Sequence, residues 1–300
     1  MKKINHHIVP CTYLQWFSED PSQWRKSIIE VFDIENKKNR STSVESIMYE
    51  KNFYDINVGW IPVDFAEDFF NDTFESWLTT IIAKIDRKEQ LNLEEINQIC
   101  TFIWFQEFRT NYRLDWLNLL YCMIEKAGIN IKDVEKRKCF FRNMFMGDNI
   151  IGSKLWWTKR YVFHSDSWDF ITSDHPLYLC KPTWCCPKYP LWIYSASLCF
   201  PLSKHSYLIA QNWEQDLSGK NNWKKEILYQ DAEDIFVKIS NRYSCRSISR
   251  FIIGKNLQAL DDIISILNWE KTLEQCEKEI NDCMMKLNIN KNNFIFFNLI

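Results

Sequence analysis

Apolar positions along the chain recur with two different periods, and the change from one to the other divides it into three stretches. Near the N-terminus, HHIVPCTYLQWF (6 to 17) places Pro10 at the first turn of a short helix that carries Tyr13, Leu14, Trp16 and Phe17. SIIEVFDIE (27 to 35) reads as a strand and NKKN as its turn, with a second strand or short helix beginning at Ser41. Thr42 and Glu45 have capping-box spacing for a helical turn over SVESIMYE. From about Asp64 the period becomes helical, through DFAEDFFNDTFESWLTTIIAKIDR and then NLEEINQICTFIWFQEFRTNYRLDWLNLLYCMIEKAG. The second run opens on Asn92 and Glu95 as cap and third-residue partner and stops at Gly128, and a further helix is expected from Val134 to Phe145.

Residues 153 to 211 turn strand-like, in WWTKRYVF, WDFIT, LYLC, WIYSASLCF and SYLIAQ, punctuated by Pro176, Pro182, Pro187, Pro190 and Pro201. AEDIFVKISNRY is helical, SISRFIIG a strand, and LQALDDIISILNWEKTLEQCEKEINDCMMKL a long closing helix. These elements predict an α+β fold: an N-terminal hairpin, a helical middle, a β-rich later half and a closing C-terminal helix. With no internal repeat and no low-complexity linker, residues 1–255 read as one domain, with the helix and tail of 256–300 packed on it.

Composition sharpens this only in places. A 46 % hydrophobic, 25 % charged chain of 300 residues has enough apolar material for a sizeable core. Fourteen Trp, twenty-one Phe and twelve Tyr supply mostly core rings, with stacking surfaces for bases or sugars as the alternative use. The net charge of −2 gives no global basic field, so any contact with nucleic acid needs a local patch. MKKINHHIVPC lacks the apolar core of a secretory signal, so a cytoplasmic location with eleven reduced cysteines is expected. Cys180, Cys185 and Cys186 cluster downstream of His175, but without a CxxC pair their spacing fits no common zinc module. No apolar stretch reaches the about 20 residues that span a bilayer, so no membrane role is expected.

His7, Pro10, Tyr13, Leu14 and Phe17 form a His-x-x-Pro-x-x-Tyr-Leu-x-x-Phe segment. The hairpin VFDIENKKN follows, then NFY at 52 to 54, an acidic helix position at Glu75, and the run Arg109, Thr110, Asn111, Tyr112, Arg113. Later come Phe170, Thr172, Ser173, Asp174 and Pro176 as Phe-x-Thr-Ser-Asp-x-Pro, and Pro-Leu-Ser at 201 to 203. In order and spacing this resembles a bacterial and phage-associated family of uncharacterised proteins, domain of unknown function 4238, over about residues 5 to 255. Cys11, where that family often has a basic or polar residue, and the segment after 256 depart from the pattern. The resemblance implies no settled activity, and an association with defence islands is an analogy.

The chemistry these residues suggest is phosphate-directed. His-His-x-x-Pro is similar to the first element of an HNH nuclease, but its second ligand must fall within a few dozen residues and the next histidine after His7 is His164. Asp33, Glu35 and Lys37 imitate a restriction-type acid-x-lysine strand, though an exposed hairpin end explains them better. Gln106, Arg109 and Arg113 share one helical face, where two guanidinium groups either grip a phosphate or carboxylate or join Glu75 or Asp174 in an ion network. Ser173 and Asp174 either present a carboxylate at a cleft or close a turn. His6 and His7 serve as a base or metal ligands, or else pack and cap. With six glycines and no GxGxxG or GxxxxGK arrangement, standard nucleotide-hydrolysing folds are disfavoured.

The leading expectation is thus a cytosolic phosphodiester hydrolase of the nuclease kind, a candidate phage-defence effector. His7, Glu75 and Asp174 are its catalytic candidates, and Gln106, Arg109 and Arg113 its anion-binding ones. Its partner would be nucleic acid or a nucleotide, and its acids could hold a divalent metal. The alternative is a non-catalytic sensor of an anionic ligand, or a module that binds a protein partner.

Overall fold

The computed structural model describes residues 5–51, 74, 76–110, 122, 125–126, 158–180, 197–212, 226–245, 248 and 250–267. The N-terminal strand β1 (Asn5–His7) leads into α1 (Cys11–Leu14) and two 3-10 segments, Gln15–Phe17 and Pro21–Lys26. Next come β2 (Ile28–Asp33), β3 (Lys38–Ser43) and β4 (Tyr49–Lys51), then the helices α2 (Ser76–Asp86) and α3 (Leu93–Phe108). The later half carries β5 (Thr158–His164), β6 (Thr172–Ser173), β7 (Tyr178–Cys180), β8 (Ser197–Pro201), β9 (Ser206–Asn212) and β10 (Ile227–Asp231). It ends with α4 (Asp234–Ser244), β11 (Phe251–Gly254) and α5 (Leu257–Leu267). The fold is α+β, as the pattern predicts.

Strands assemble into a five-stranded sheet in the order β10-β5-β9-β8-β7, a four-stranded sheet in the order β3-β2-β11-β6, and the pair β1-β4. Among the described residues, only β10 runs parallel to its neighbour, and the other ladders are antiparallel. Alternate strand residues face opposite ways, so each large sheet buries two surfaces. Val162, Leu198, Phe200 and Leu208 of the first sheet, with Ile29, Val31 and Ile253 of the second, join the helical core of α1, α2 and α3. The opposite face of the five-stranded sheet, with Phe163, Cys199, Tyr207 and Ile209, is covered by Phe236 and Val237 of α4. That of the four-stranded sheet, with Phe32 and Ile252, is covered by Leu260 and Ile263 of α5. Gly254 permits this last contact, because a Cβ there would lie 3.0 Å from the Leu260 side chain.

Local chemistry explains the ends of the elements. Asn92 accepts from the Glu95 amide at 3.0 Å while Glu95 accepts from the Asn92 amide at 2.9 Å, so the expected capping box starts α3. In the β2–β3 hairpin, Asp33 accepts from the backbone amide of Asn36 at 3.1 Å and from its side chain at 2.8 Å, and Lys37 takes a left-handed φ of 50°. Burial works against ionisation of Asp33, but hydrogen bonds from Asn36 and Arg250 hold its carboxyl down at about 2. The triplet Asp33, Glu35, Lys37 is therefore the turn of a hairpin, with Glu35 3.2 Å from the Arg250 guanidinium.

Three expectations are corrected here. The helix opened by Asn92 ends at Phe108, with Arg109 as its C-cap, rather than running on to Gly128. The second strand begins at Lys38 rather than Ser41, because the turn closes within four residues. No capping box forms at Thr42 and Glu45: Thr42 lies in β3, paired with Ile29, and a single 3-10 turn follows Ser43. Glu75, Arg113, the segment NFY, the helix expected from Val134 to Phe145, Cys185, Cys186 and the closing segment after 267 lie outside the described residues.

One side chain ties the two large sheets together. Tyr13, fully buried in α1, donates its hydroxyl to the Pro201 carbonyl of β8 at 2.7 Å and lies 2.8 Å from the Thr172 hydroxyl of β6. Burial pushes its phenol well above the usual tyrosine range. Phe17, Phe102 and Phe200 surround the ring, with centroids 5.2, 5.8 and 5.4 Å away.

Candidate functional site at the end of the second long helix

The C-terminal end of α3 holds Gln106, Glu107 and, as the capping residue, Arg109, all buried. Gln106 donates to the Ile8 carbonyl at 2.9 Å, and Arg109 donates to the His7 carbonyl at 2.7 Å. They reach adjacent carbonyls of one segment because Gln106 lies in the last turn of α3 and Arg109 caps it three residues on. Glu107 faces elsewhere, and its carboxylate lies 3.1 Å from Nε2 of His175, with both side chains under one-tenth exposed. Three stretches of chain, 6–17, 106–110 and 170–176, thus meet at one helix end. Tyr13 and Thr172 join the first and last of them directly.

Each group has a definite setting. His7 is half-buried on β1 opposite Tyr49, whose ring it meets edge-on at 6.2 Å. Burial, then the charges of Arg109 and Arg25, bring its pKa down to about 4, so its ring is neutral at pH 7. Cys11 Sγ lies 3.6 and 3.8 Å from the two ring nitrogens of His7. A thiol aligned with one nitrogen's lone pair would be much farther from the other, and Cys11 donates to the Val44 carbonyl instead. This is a packing contact rather than an activated cysteine. His6 is fully buried on the same strand.

Asp174 is buried at the end of β6 and uses Oδ2 to accept from the backbone amides of Arg250 at 2.6 Å and Phe251 at 3.2 Å. It thereby caps the start of β11. Ser173 donates to the His175 carbonyl at 2.9 Å and accepts from the His175 amide at 3.2 Å, a tight polar turn before Pro176.

Of the residues singled out from sequence, His7, Gln106 and Arg109 are brought into direct contact with one segment, and Asp174 is the chain neighbour of the His175 that binds Glu107. Glu107 escaped the sequence reading, and His175 drew notice only beside Asp174 and the cysteine cluster, without a site role. Glu107 sits in a helix with several other acids, and His175 fills the variable position of Ser-Asp-x-Pro. The one available signal was a histidine beside an aspartate in a turn flanked by apolar residues.

A second polar array has the composition of a hydrolytic triad. His164 Nδ1 is 3.4 Å from the Ser206 hydroxyl, and its Nε2 is 3.0 Å from Asp166. Ser206, however, donates its hydroxyl to Asp86 at 2.6 Å and is fully buried, so its proton is directed away from the imidazole. Asp86 also accepts from the Ser203 hydroxyl at 2.6 Å, and Lys204 donates to the Ser18 and Glu19 carbonyls. The array fastens the β8–β9 turn to α2 and to the N-terminal segment. Among the described residues, no group of three or more His, Cys, Asp and Glu side chains is arranged to hold a metal ion. Cys11, Cys100, Cys122, Cys199 and Cys245 are thiols rather than disulfide partners, and no described helix is long and apolar enough to cross a membrane.

Residues 5–140 match the family described as protein of unknown function (DUF4238). The N-terminal and helical motifs lie within that match, while the later marks at 170–176 and 201–203 lie beyond it. No curated protein and no solved structure matches the chain.

Proposed function

We propose that the chain is a phosphodiester hydrolase of the nuclease kind, working at the junction of α3 with the 6–17 and 170–176 segments. One observation carries this reading: His6, Glu107, Arg109, Asp174 and His175 are all buried in and around this junction. Ionisable side chains are seldom so buried, and a paired buried charge adds little net stability over an apolar replacement. Their concentration is therefore better explained by chemistry than by packing.

In this reading the Glu107 carboxylate accepts from Nε2–H of His175, fixing the tautomer with its lone pair on Nδ1. His175 is then the group that takes a proton from the attacking nucleophile. Arg109 supplies positive charge beside the reacting phosphate, and neutral His7 and the Asp174 carboxylate complete the polar wall. Glu75 and Arg113 remain candidates for the same site. A divalent metal held by the acids would add Lewis-acid assistance. A role in phage defence is the setting the resemblance suggests for such an activity.

A specific observation favours a second reading, a non-catalytic module that binds an anionic ligand or a protein partner. The bonds of Gln106, Arg109 and Asp174 described above all end on backbone atoms, as those of an internal brace would.

The deciding experiment incubates the purified chain with single- and double-stranded DNA, RNA and a small chromogenic phosphodiester, with and without added Mg²⁺ or Mn²⁺. Hydrolysis that disappears in His175→Gln and Arg109→Lys, with near-native circular dichroism, supports the enzyme. A wild-type chain that cleaves none of these leaves the brace and binding module.

A further inference from the structure

We propose that the cleft between α4 and α5 is a binding site for a free α-amino acid with a small aliphatic side chain. The cleft has a volume of about 140 Å³. None of the motif residues line it, so it is separate from the site at the end of α3 and does not depend on the hydrolase reading. Its size is that of a cavity of about 150 Å³ able to take up benzene, enough for the body of valine or leucine.

The lining combines an apolar floor with one charge of each sign. Val237, Ala259 and Ile263 form the apolar part, and Lys238 and Asp169 bring an ammonium and a carboxylate to the same cleft. Lys238 Nζ lies 4.5 Å from the centroid of the Trp168 ring, so a cation-π contact with a second lining residue holds the ammonium in place. Asp169 is partly neutralised: Lys255 approaches it to 3.9 Å while making its closer contact, at 3.0 Å, with Glu19, and the charge of Lys204 lies near. A singly charged ligand would leave one of these two charges uncompensated on entry, whereas a zwitterion answers both.

Asn241 adds a neutral contact. Its amide oxygen accepts from the Ile171 amide and its nitrogen donates to the Asp169 carbonyl, each at 3.0 Å. A primary amide has two N–H groups and two lone pairs, so one of each is left over in a residue that lines the cleft. That pair suits the carboxylate and ammonium ends of the same ligand.

Calorimetric titration of the full chain with L-valine and L-leucine tests this, with isovalerate and isobutylamine as singly charged controls. The expected result is saturable binding of the amino acids, with the controls, Lys238→Met and Asp169→Asn each weaker by about tenfold or more. Lys238→Met keeps an unbranched apolar side chain beside Trp168 and loses only the cation-π contact of a part-exposed residue, so the fold should hold, and it decides alone if Asp169→Asn is unstable. The proposal is overturned by no heat and no thermal shift with any proteinogenic amino acid at about 10 mM. Isovalerate binding as tightly as L-leucine, or unchanged affinity in Lys238→Met, overturns it equally.

Discussion

Oγ1 of Thr172 lies 2.8 Å from the phenol oxygen of Tyr13, 159 residues away in sequence, and the same phenol donates to the Pro201 carbonyl. A single hydroxyl in the first helix thus holds one strand from each large sheet, and its removal strands two buried polar groups. Tyr13→Phe should destabilise the chain by about 1 to 3 kcal/mol with little change in ring packing. Urea unfolding of the variant checks this, and an unchanged midpoint would show that the bridge contributes nothing net.

Acid should loosen the N-terminal segment before it titrates the carboxylates. The folded pKa of His7, about 4, lies below the unfolded value of 6.5, so between those limits the unfolded chain binds the extra proton. Stability is fully present above pH 6.5 and falls as pH drops through about 4, by about 2 to 3 kcal/mol for a half-buried ring. In His7→Gln that slope should flatten, which denaturation series between pH 4 and 7 would reveal.

Asp86 receives two hydroxyl donors from the turn after β8, each at 2.6 Å. Asp86→Ala leaves both serines without their acceptor and should cost about 2 to 3 kcal/mol. The double change of Ser203 and Ser206 to Ala should cost more, because Ser203 Oγ also accepts from the backbone amides of His205 and Ser206, each at 3.0 Å. Melting curves of the single and combined variants measure the coupling.

Asp174 separates the two functional readings. As a backbone cap it accepts two amide N–H bonds that a neutral amide oxygen accepts less well, so Asp174→Asn should lower stability by about 1 to 2 kcal/mol in either case. If the residue also serves hydrolysis, cleavage should fall far more than the folded fraction does, under conditions where the variant is still native. Equal loss of both would place Asp174 in the scaffold alone.

Much of the fold was legible because it is local. The helical period over Leu78, Ile81, Ile82 and Ile85 and the Asn92–Glu95 cap needed no knowledge of the remainder. The Asp33–Asn36 turn was legible for the same reason. The short strand at Asn5–His7 was not, because three residues carry no period and their pairing with Tyr49–Lys51 is set by tertiary context. The candidate site was half legible. Polar residues set among apolar ones drew notice to His7, Arg109 and Asp174, yet what each touches depends on backbone atoms that have no sequence signature. The Glu107–His175 pair exists only through the crossing of α3 with the end of β6, which no spacing encodes.

The place of β11 between β2 and β6 sets an order of assembly. Val31 is paired with Ile253, so β2 has only β3 beside it until Phe251–Gly254 has been synthesised. Until then the apolar faces around Val31 and Phe32 have no sheet neighbour on that side, and a chain cut short before Phe251 would carry an open strand edge. Synthesis of this protein therefore delays completion of a sheet it begins to build at once. The open edge of β2 is a hazard of any chain that has not yet reached Phe251.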